Sequence, residues 1–432
     1  PSPPPLPPPS PPPPKFKLAF KLDSDGCVIS FDPSVDYYPV ERRAMVGGGA
    51  STVHENITFA KDFTITYYRT YKVLKNIRST KSYILQQCGT PDEYPGLPDE
   101  AENATVFKVP LKKWSSGLTT SYTFMGKLGL WPQAVVVDAQ YMSSPCGRKL
   151  VDCGVISAPE PPKNWKAAVV AKGSQVHFTD YLNTFDTGLH IDVAFDASSD
   201  PGVSSASPMH PHQSPQTSPP HFSGLLGRAE WIKFAAPFFN KEPEANSVFN
   251  AIESRFDAVV KDVETAARGK TSPRVAFIST FGSPGGVISI AAFKQEIVAK
   301  AGGTNVDPTI AETWCPLDGS TGNYKCANAT AMKEVSSLES NPFAVQSTSS
   351  APSPPLLLLS HQHPTGAQNN RRRCRRVVYA CDDVVHAQDF QVEFQAILQQ
   401  LSLPHFGPRL PHRQAPQPAR SNNRLVRHRL AR

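Results

Sequence analysis

Eleven side chains carry the chemistry this sequence could do: Ser115, Ser116, Tyr141, Ser143, Ser144, His177, Asp180, Asp186, His190, Arg228 and Glu230. Hydroxyls donate and accept hydrogen bonds. The planar guanidinium of Arg228 can hold a carboxylate through two parallel bonds. Together they suit a polar or anionic ligand held in a pocket. Direct metal ligation would need His177, Asp180, His190 and Glu230 to converge on one point. The plainer alternative is that each is an exposed or internally satisfied loop residue. Covalent chemistry finds no support. There is no GxSxG, no HExxH and no GxxxxGK[ST]. The carboxylates Asp180, Asp186, Asp192, Asp196 and Asp200 follow one another along the chain, but paired acid–base work needs two acids flanking a bond in space. The chain is not expected to be an enzyme.

These residues fall on segments that a sheet must position. VFKVPL (106–111), AVVVDAQYM (134–142) and WKAAVVAK (165–172) read as strands. Between them, SSGLTTSYTFMGKLGL runs into a short helix with Ser115, Ser116, Thr119 and Thr120 as N-cap candidates. SSPCGRKLVDCGVI reads as a second capped helix. Strands alternating with helices predict a parallel sheet, whose ligands sit beyond the carboxyl ends of the strands, here loops 114–120, 141–146 and 174–182. Residues 177–202 read as a long ordered loop. Upstream, KFKLAFKL, ITFAKDFTITYYRTYKVL and KSYILQQCGT alternate and are rich in Thr, Tyr, Ile and Val, which predicts a small antiparallel sheet. Downstream, Ala245, Val248, Phe249, Ile252, Phe256, Val259 and Val260 make one apolar stripe on a long helix. Trp231 to Phe239 is too apolar for a free surface, and Pro237 or Pro243 should kink or restart the helix. SPRVAFISTFGSPGG then reads as a strand with a glycine-rich loop, and ISIAAFKQEIVAKAGG as a helix stopped by Gly302 and Gly303.

The fold class is therefore α/β: two α/β lobes joined by a long helix, after a small N-terminal β region. The expected boundaries are a proline-rich linker at 1–14, the β region at 15–100 and the N-terminal lobe at 101–202. A low-complexity insert follows at 203–224, the spine helix at 225–268, the C-terminal lobe at 269–345 and a tail at 346–432. The leader PSPPPLPPPSPPPP favours extended polyproline II and is expected to be disordered, like the Arg/Pro-rich tail. Its SPPPP units resemble the rods of plant and green-algal wall glycoproteins. Beginning at Pro1, the chain is expected to be a fragment or a processed form. Residues 351–432 hold 12 Arg, no Lys and 4 acids, or +8. The remainder carries −1 of the net +7, so nucleic acid is not an expected partner. The composition of 351–432, and of 203–224, is what an out-of-frame or intron-derived reading would give. No apolar run is long enough to cross a membrane. Six cysteines in the body, Cys27, Cys88, Cys146, Cys153, Cys315 and Cys326, accompany sequons at Asn56, Asn103 and Asn328. This combination favours an extracellular, periplasm-like or cell-wall space. Cys27–Cys88, Cys146–Cys153 and Cys315–Cys326 are candidate disulfides, with the pairing left open by sequence.

Several stretches resemble substrate-binding proteins of ABC transporters for ferric siderophores, cobalamin and metal ions, the helical-backbone metal receptors, and within them a cyanobacterial and green-algal subgroup. The segments are YYRTYKVL (67–74), YILQQCGTPDE (83–93), VFKVPLKKW (106–114), VVDAQYMSSPC (136–146), IDVAFDASSDPG (191–202) and RAEWIKFAAPFFNKEPEAN (228–246). The resemblance covers about half the chain, and the last segment is the most specific. It implies two lobes, a helical hinge with modest closure, and reversible capture of iron or an iron chelate between the lobes. No resident cofactor is expected; the bound iron or iron chelate would be the ligand, and a transporter permease the partner. The contrasting expectation is a structural hydroxyproline-rich wall glycoprotein, anchored through the leader, with a body that binds nothing.

Overall fold

The computed structural model describes residues 19–43, 57–140, 142–159, 165–179, 187–195, 224–279, 285–290, 292–318, 323–328, 330–332 and 343–347. It is a mixed α/β structure with three sheets. The linker 1–14, residues 203–223 of the expected insert and the tail beyond 347 lie outside these residues, while Gly224, expected in the insert, begins a helix.

The first sheet holds β1 (Phe63–Tyr67), β2 (Tyr71–Asn76), β3 (Lys81–Gln87) and β4 (Thr105–Val109) in sequential order. The first three are antiparallel, as their alternation predicts, and β4 joins β3 in parallel. VFKVPL thus extends the N-terminal sheet instead of opening the next one. Successive β3 residues serve opposite faces. Tyr83 and Leu85 enter the main core, while Ile84 packs with Tyr71 and Val73 under a smaller cluster. A Cys27–Cys88 disulfide ties the N-terminal loop to the end of β3.

The second sheet is parallel throughout, in the order β6-β5-β7-β8. Its strands are β5 (Trp114–Ser116), β6 (Ala134–Val137), β7 (Val176–Thr179) and β8 (Asp192–Ala194). Helix α1 (Thr119–Lys127) connects β5 to β6; α2 (Pro145–Asp152) and α3 (Trp165–Lys172) lie between β6 and β7. WKAAVVAK is therefore a helix, α3, and not a strand. Trp165 and Val169, four apart, share its buried side, while Val170 is 60% exposed. Part of 177–202 is also more regular than a loop, since Asp192–Ala194 pairs with β7.

The expected spine is several pieces. Helix α4 (Gly224–Glu230) is followed by α5 (Ile232–Ala235), a 3-10 turn at Ala236–Phe239 and then α6 (Glu242–Ala267). Pro237 sits in the 3-10 turn, where its fixed φ is tolerated, and Pro243 in the first turn of α6. Between them Asn240 takes a left-handed φ of 53°, which ends the first run. The apolar 231–239 stretch is buried, with Trp231, Phe234 and Phe238 packed on Phe63, Tyr83, Phe107, Phe178 and Phe195. At 26 residues, α6 spans about 39 Å. Ala245 and Phe249 are buried in its N-terminal half, and Val248 and Ile252 pack on the same core.

Beyond α6 lies the third sheet, with its own core around Ile278, Ile288, Ala311 and Tyr324. Its central strands are β9 (Arg274–Ser279) and β10 (Val287–Ser289), followed by α7 (Ala292–Lys300), β11 (Thr304–Asn305) and α8 (Pro308–Trp314). Then come β12 (Leu317–Asp318), β13 (Asn323–Lys325) and β14 (Phe343–Ser347); β14 and β11 each run parallel to β9. Cys315–Cys326 closes the β12–β13 hairpin. Leu225 N donates to Glu296 Oε2 at 2.8 Å, so α4 of the first core touches α7 of the other.

Candidate functional site

The order β6-β5-β7-β8 has a topological switch. From β5 the chain moves one way to β6 through α1, then crosses to the other side of β5 for β7. Connections leave β5 and β7 in opposite directions, the arrangement in which open parallel sheets place their ligands beyond the carboxyl ends of the strands. Ser116 and Thr179 end these two strands. Helices α1 and α2 both begin at this edge, each presenting the amide groups and positive dipole end of a helix N-terminus. Helix α1 has Leu118 at its N-cap and no side-chain cap, and the Ser121 amide of its first turn donates to the Leu118 carbonyl at 3.2 Å.

Local bonds shape the edge. Ser116 Oγ donates to the Phe178 carbonyl at 3.1 Å and accepts from the Leu118 amide at 3.0 Å, fixing the β5–α1 turn. The Tyr122 hydroxyl accepts from the Asp138 amide at 2.7 Å and lies 3.1 Å from the Ser116 carbonyl, bracing β5 against β6. Burial pushes the Tyr122 phenol far above its ordinary range. The Asp138 carboxylate accepts from the Gln140 amide at 2.8 Å and turns the chain towards Ser143. Ser144 caps α2 by accepting from the Gly147 amide at 3.2 Å. Gly147 lets that helix lie flat: a Cβ there would stand 2.6 Å from Trp131 and from Met142 Sδ. The hydroxyls of Thr120, on α1, and Thr179, on β7, are buried and have no hydrogen-bond partner among the described residues. Buried polar groups are normally satisfied, so two unpartnered hydroxyls at one edge suit oxygens supplied by a ligand.

The structure separates the sequence-derived candidates into groups. Ser116, Ser143 and Ser144 lie at the switch edge, Ser143 exposed. Tyr141, Asp180 and Asp186 lie outside the described residues. Ser115 and His177 are wholly buried in adjacent strands, with Ser115 Oγ 2.8 Å from His177 Nδ1 and 2.9 Å from Ser174 Oγ. They serve the sheet interior. His190 precedes β8, at the opposite, amino end of the sheet. There it lines a cavity of about 510 Å³ with Asn103, Lys108 and Gln175. Arg228 lays its guanidinium 4.0 Å from the Phe293 ring, at the α4–α7 contact. Glu230 is fully buried; its carboxylate accepts from the amides of Thr58, Phe59 and Ala60 at 3.0, 2.7 and 2.8 Å and from Lys233 Nζ at 2.8 Å. With its acceptor sites used in this way, it pins segment 58–60 to α4. His177, His190 and Glu230 therefore do not converge. Among the described residues, no three His, Cys, Asp or Glu side chains are grouped to hold a metal.

Sequence reasoning named Thr120 only as a cap and passed over Thr179. Identifying Thr179 requires the strand order, since it ends a strand beside the switch. The sequon residues Asn103 and Asn328 are exposed, and Asn56 lies outside the described residues. Cys146 and Cys153 are both disulfide-bonded. Seven residues of helix set their Cα atoms about 10 Å apart, against a disulfide limit of about 7 Å. The candidate Cys146–Cys153 bridge is thereby corrected, because α2 holds its two ends apart.

No protein-family model matches this chain, and no curated protein does. Solved structures similar to it include periplasmic and ABC-transporter binding proteins. The chain is similar to a possible iron-binding (periplasmic solute-binding) protein of Staphylococcus epidermidis at 11% identity and TM-score 0.36, covering 56% of this chain and 78% of that one. It is similar to the periplasmic heme-binding protein HutB of Vibrio cholerae at 13% identity and TM-score 0.39, covering 68% and 99%. A third is an ABC transporter substrate-binding protein of Listeria monocytogenes, at 14% identity and TM-score 0.34, covering 67% and 87%. No described helix is long and apolar enough to cross a membrane.

Proposed function

We propose that this chain is an extracytoplasmic solute-binding protein that captures an iron chelate between two α/β lobes and passes it to an ABC-type permease. The observation that carries the reading is the switch edge of the parallel sheet. There two helix N-termini start, and two buried hydroxyls, on Thr120 and Thr179, have no partner among the described residues. Such a site favours the negatively charged oxygens of a chelate. Helix α6, leaving the first core and leading to the third sheet, supports a two-lobe arrangement, with the α4–α7 contact as its seam. The resemblance of 67–74, 136–146 and 228–246 supports iron as the metal and the cyanobacterial and green-algal subgroup as the finer placement. Disulfides Cys27–Cys88 and Cys315–Cys326 support an oxidising compartment, with Asn103 and Asn328 open to glycosylation. Residues 1–14 would then act as a spacer to a wall.

The test is a tryptophan-fluorescence titration of the full chain with ferric citrate, a ferric hydroxamate and heme, each beside its iron-free form. Saturable binding of a ferric chelate, with none for the iron-free acid, is the expected result. No saturable binding of any member would remove the proposal.

A further inference from the structure

We infer, on the two-lobe reading above, that the seam between α4 and α7 is a two-point latch that fixes the opening of the cleft. The two points lie one helical turn apart on each side. On α7 they are Phe293 and Glu296; on α4 they are Leu225 and Arg228. Glu296 Oε2 accepts from the Leu225 amide at 2.8 Å, which sets a charged acceptor on the positive end of α4. Arg228 Cζ lies 4.0 Å from the centre of the Phe293 ring. Two matched contacts fix the rotation of one helix on the other as well as their separation, which a single contact would leave free. Gly224 admits the close approach: its φ is 61°, and a Cβ there would stand 2.9 Å from Glu296 Oε2.

Each helix is fixed to its own core by its other side. Leu226, Ala229 and Glu230 of α4 are buried, and Glu230 holds the amides of Thr58, Phe59 and Ala60. Val298 of α7 is wholly buried with Val275 and Phe277, and Gln295 Nε2 donates to the Ile290 carbonyl at 2.8 Å. A movement at the seam therefore moves whole lobes. The second link between the lobes is α6, whose last turns meet the far end of α7: a Cβ on Gly302 would stand 3.4 Å from Ala267 Cβ and 3.5 Å from Val263 Cγ1. That link is continuous backbone and cannot part. Nothing on α6 after Phe249 is fully buried, so it resists a swing only weakly. The α4–α7 link joins half-buried residues and has no covalent bond, so it can part. Parting it swings the third sheet about α6, a hinge motion of the whole lobe.

The test is the distance between lobes in the full chain, read by double electron–electron resonance. Nitroxides carried on a keto amino acid at Val170 and Leu317, which are 60% and 49% exposed on α3 and β12, leave the cysteines untouched. Wild type should give one narrow distance. The double variant Glu296→Ala with Phe293→Leu should lose it to a broad distribution. Glu296→Gln, which keeps an acceptor for the Leu225 amide, should retain it. A broad distribution in wild type, or a narrow one unchanged in the double variant, would overturn the latch. Loss of cooperative urea unfolding in the double variant would also overturn it, by making the seam part of the folding core. Ferric citrate, a ferric hydroxamate and heme are titrated separately by tryptophan fluorescence. Where one binds, the double variant should lose affinity in proportion to the fraction that leaves the narrow distance. A distance that broadens as expected, in a wild type that binds none of them, would keep the latch and remove only the proposed ligand.

Discussion

Lys72 is a buried cation whose removal can be read through pH. It sits on β2, wholly buried, and donates to the Pro237 carbonyl at 2.8 Å, Asn240 Oδ1 at 2.9 Å and Glu242 Oε1 at 2.7 Å. These bonds join the first sheet to the turn that starts α6. Burial lowers its ammonium from the usual 10.5 to about 8, despite the attraction of Glu242. The sign follows. Between about pH 8 and 10.5 the unfolded chain holds a proton that the folded chain has lost, so stability rises with pH across that window. Below it, the cost of burying the charge is fully present. The whole shift corresponds to about 3 kcal/mol, of which about 2 kcal/mol should be recovered between about pH 7 and pH 9.5. The perturbation is the double variant Lys72→Met with Glu242→Gln, which removes both charges and keeps volume. Urea unfolding of wild type and variant at the two pH values gives a stability difference in which other titrations cancel. Wild type should gain about 2 kcal/mol on the variant at the higher pH. An unchanged difference would refute the claim that desolvation governs Lys72.

Three further outcomes are expected. Gly147→Ala drives a methyl group into Trp131 and should cost about 1–3 kcal/mol in urea unfolding; a variant as stable as wild type would mean α2 does not lie on Trp131 as described. Glu230→Gln strips the charge from a carboxylate holding three amides and Lys233, and should cost about 3–5 kcal/mol by the same assay, with segment 58–60 losing hydrogen-exchange protection. Thr179→Val should leave unfolding within about 1 kcal/mol of wild type, because the hydroxyl has no partner among the described residues. The same change should weaken ferric-chelate binding about tenfold if that hydroxyl meets a charged oxygen.

Local pattern carried the elements whose signal is local. The Thr- and Tyr-rich alternation of 63–87 is β1 to β3, Ser144 caps α2, and the stripe from Ala245 to Ile252 is the buried side of α6. WKAAVVAK failed because five consecutive small apolar residues fit strand and helix alike, and only packing of Trp165 and Val169 on one side decides between them. VFKVPL was recognised as a strand, yet its parallel partner is β3, and strand order is a property of tertiary contacts. The site was legible as a set of loops beyond parallel strands. It was not legible residue by residue. Glu230 looked available until three amides from 170 to 172 residues earlier were seen to occupy it, and His177 until its strand was placed in the sheet interior. Thr179 carries no sequence signal, because its interest comes from an unpartnered hydroxyl beside the switch.

The most direct test of the binding account is thermal unfolding of the full chain with and without ferric citrate, a ferric hydroxamate or heme. A ligand at about 100 times its Kd should add about 2.7 kcal/mol, a rise of several degrees in Tm for a protein of this size. The account predicts that rise with one class of ferric chelate and its reduction in Thr179→Val. A single cooperative transition that none of the chelates moves would contradict it.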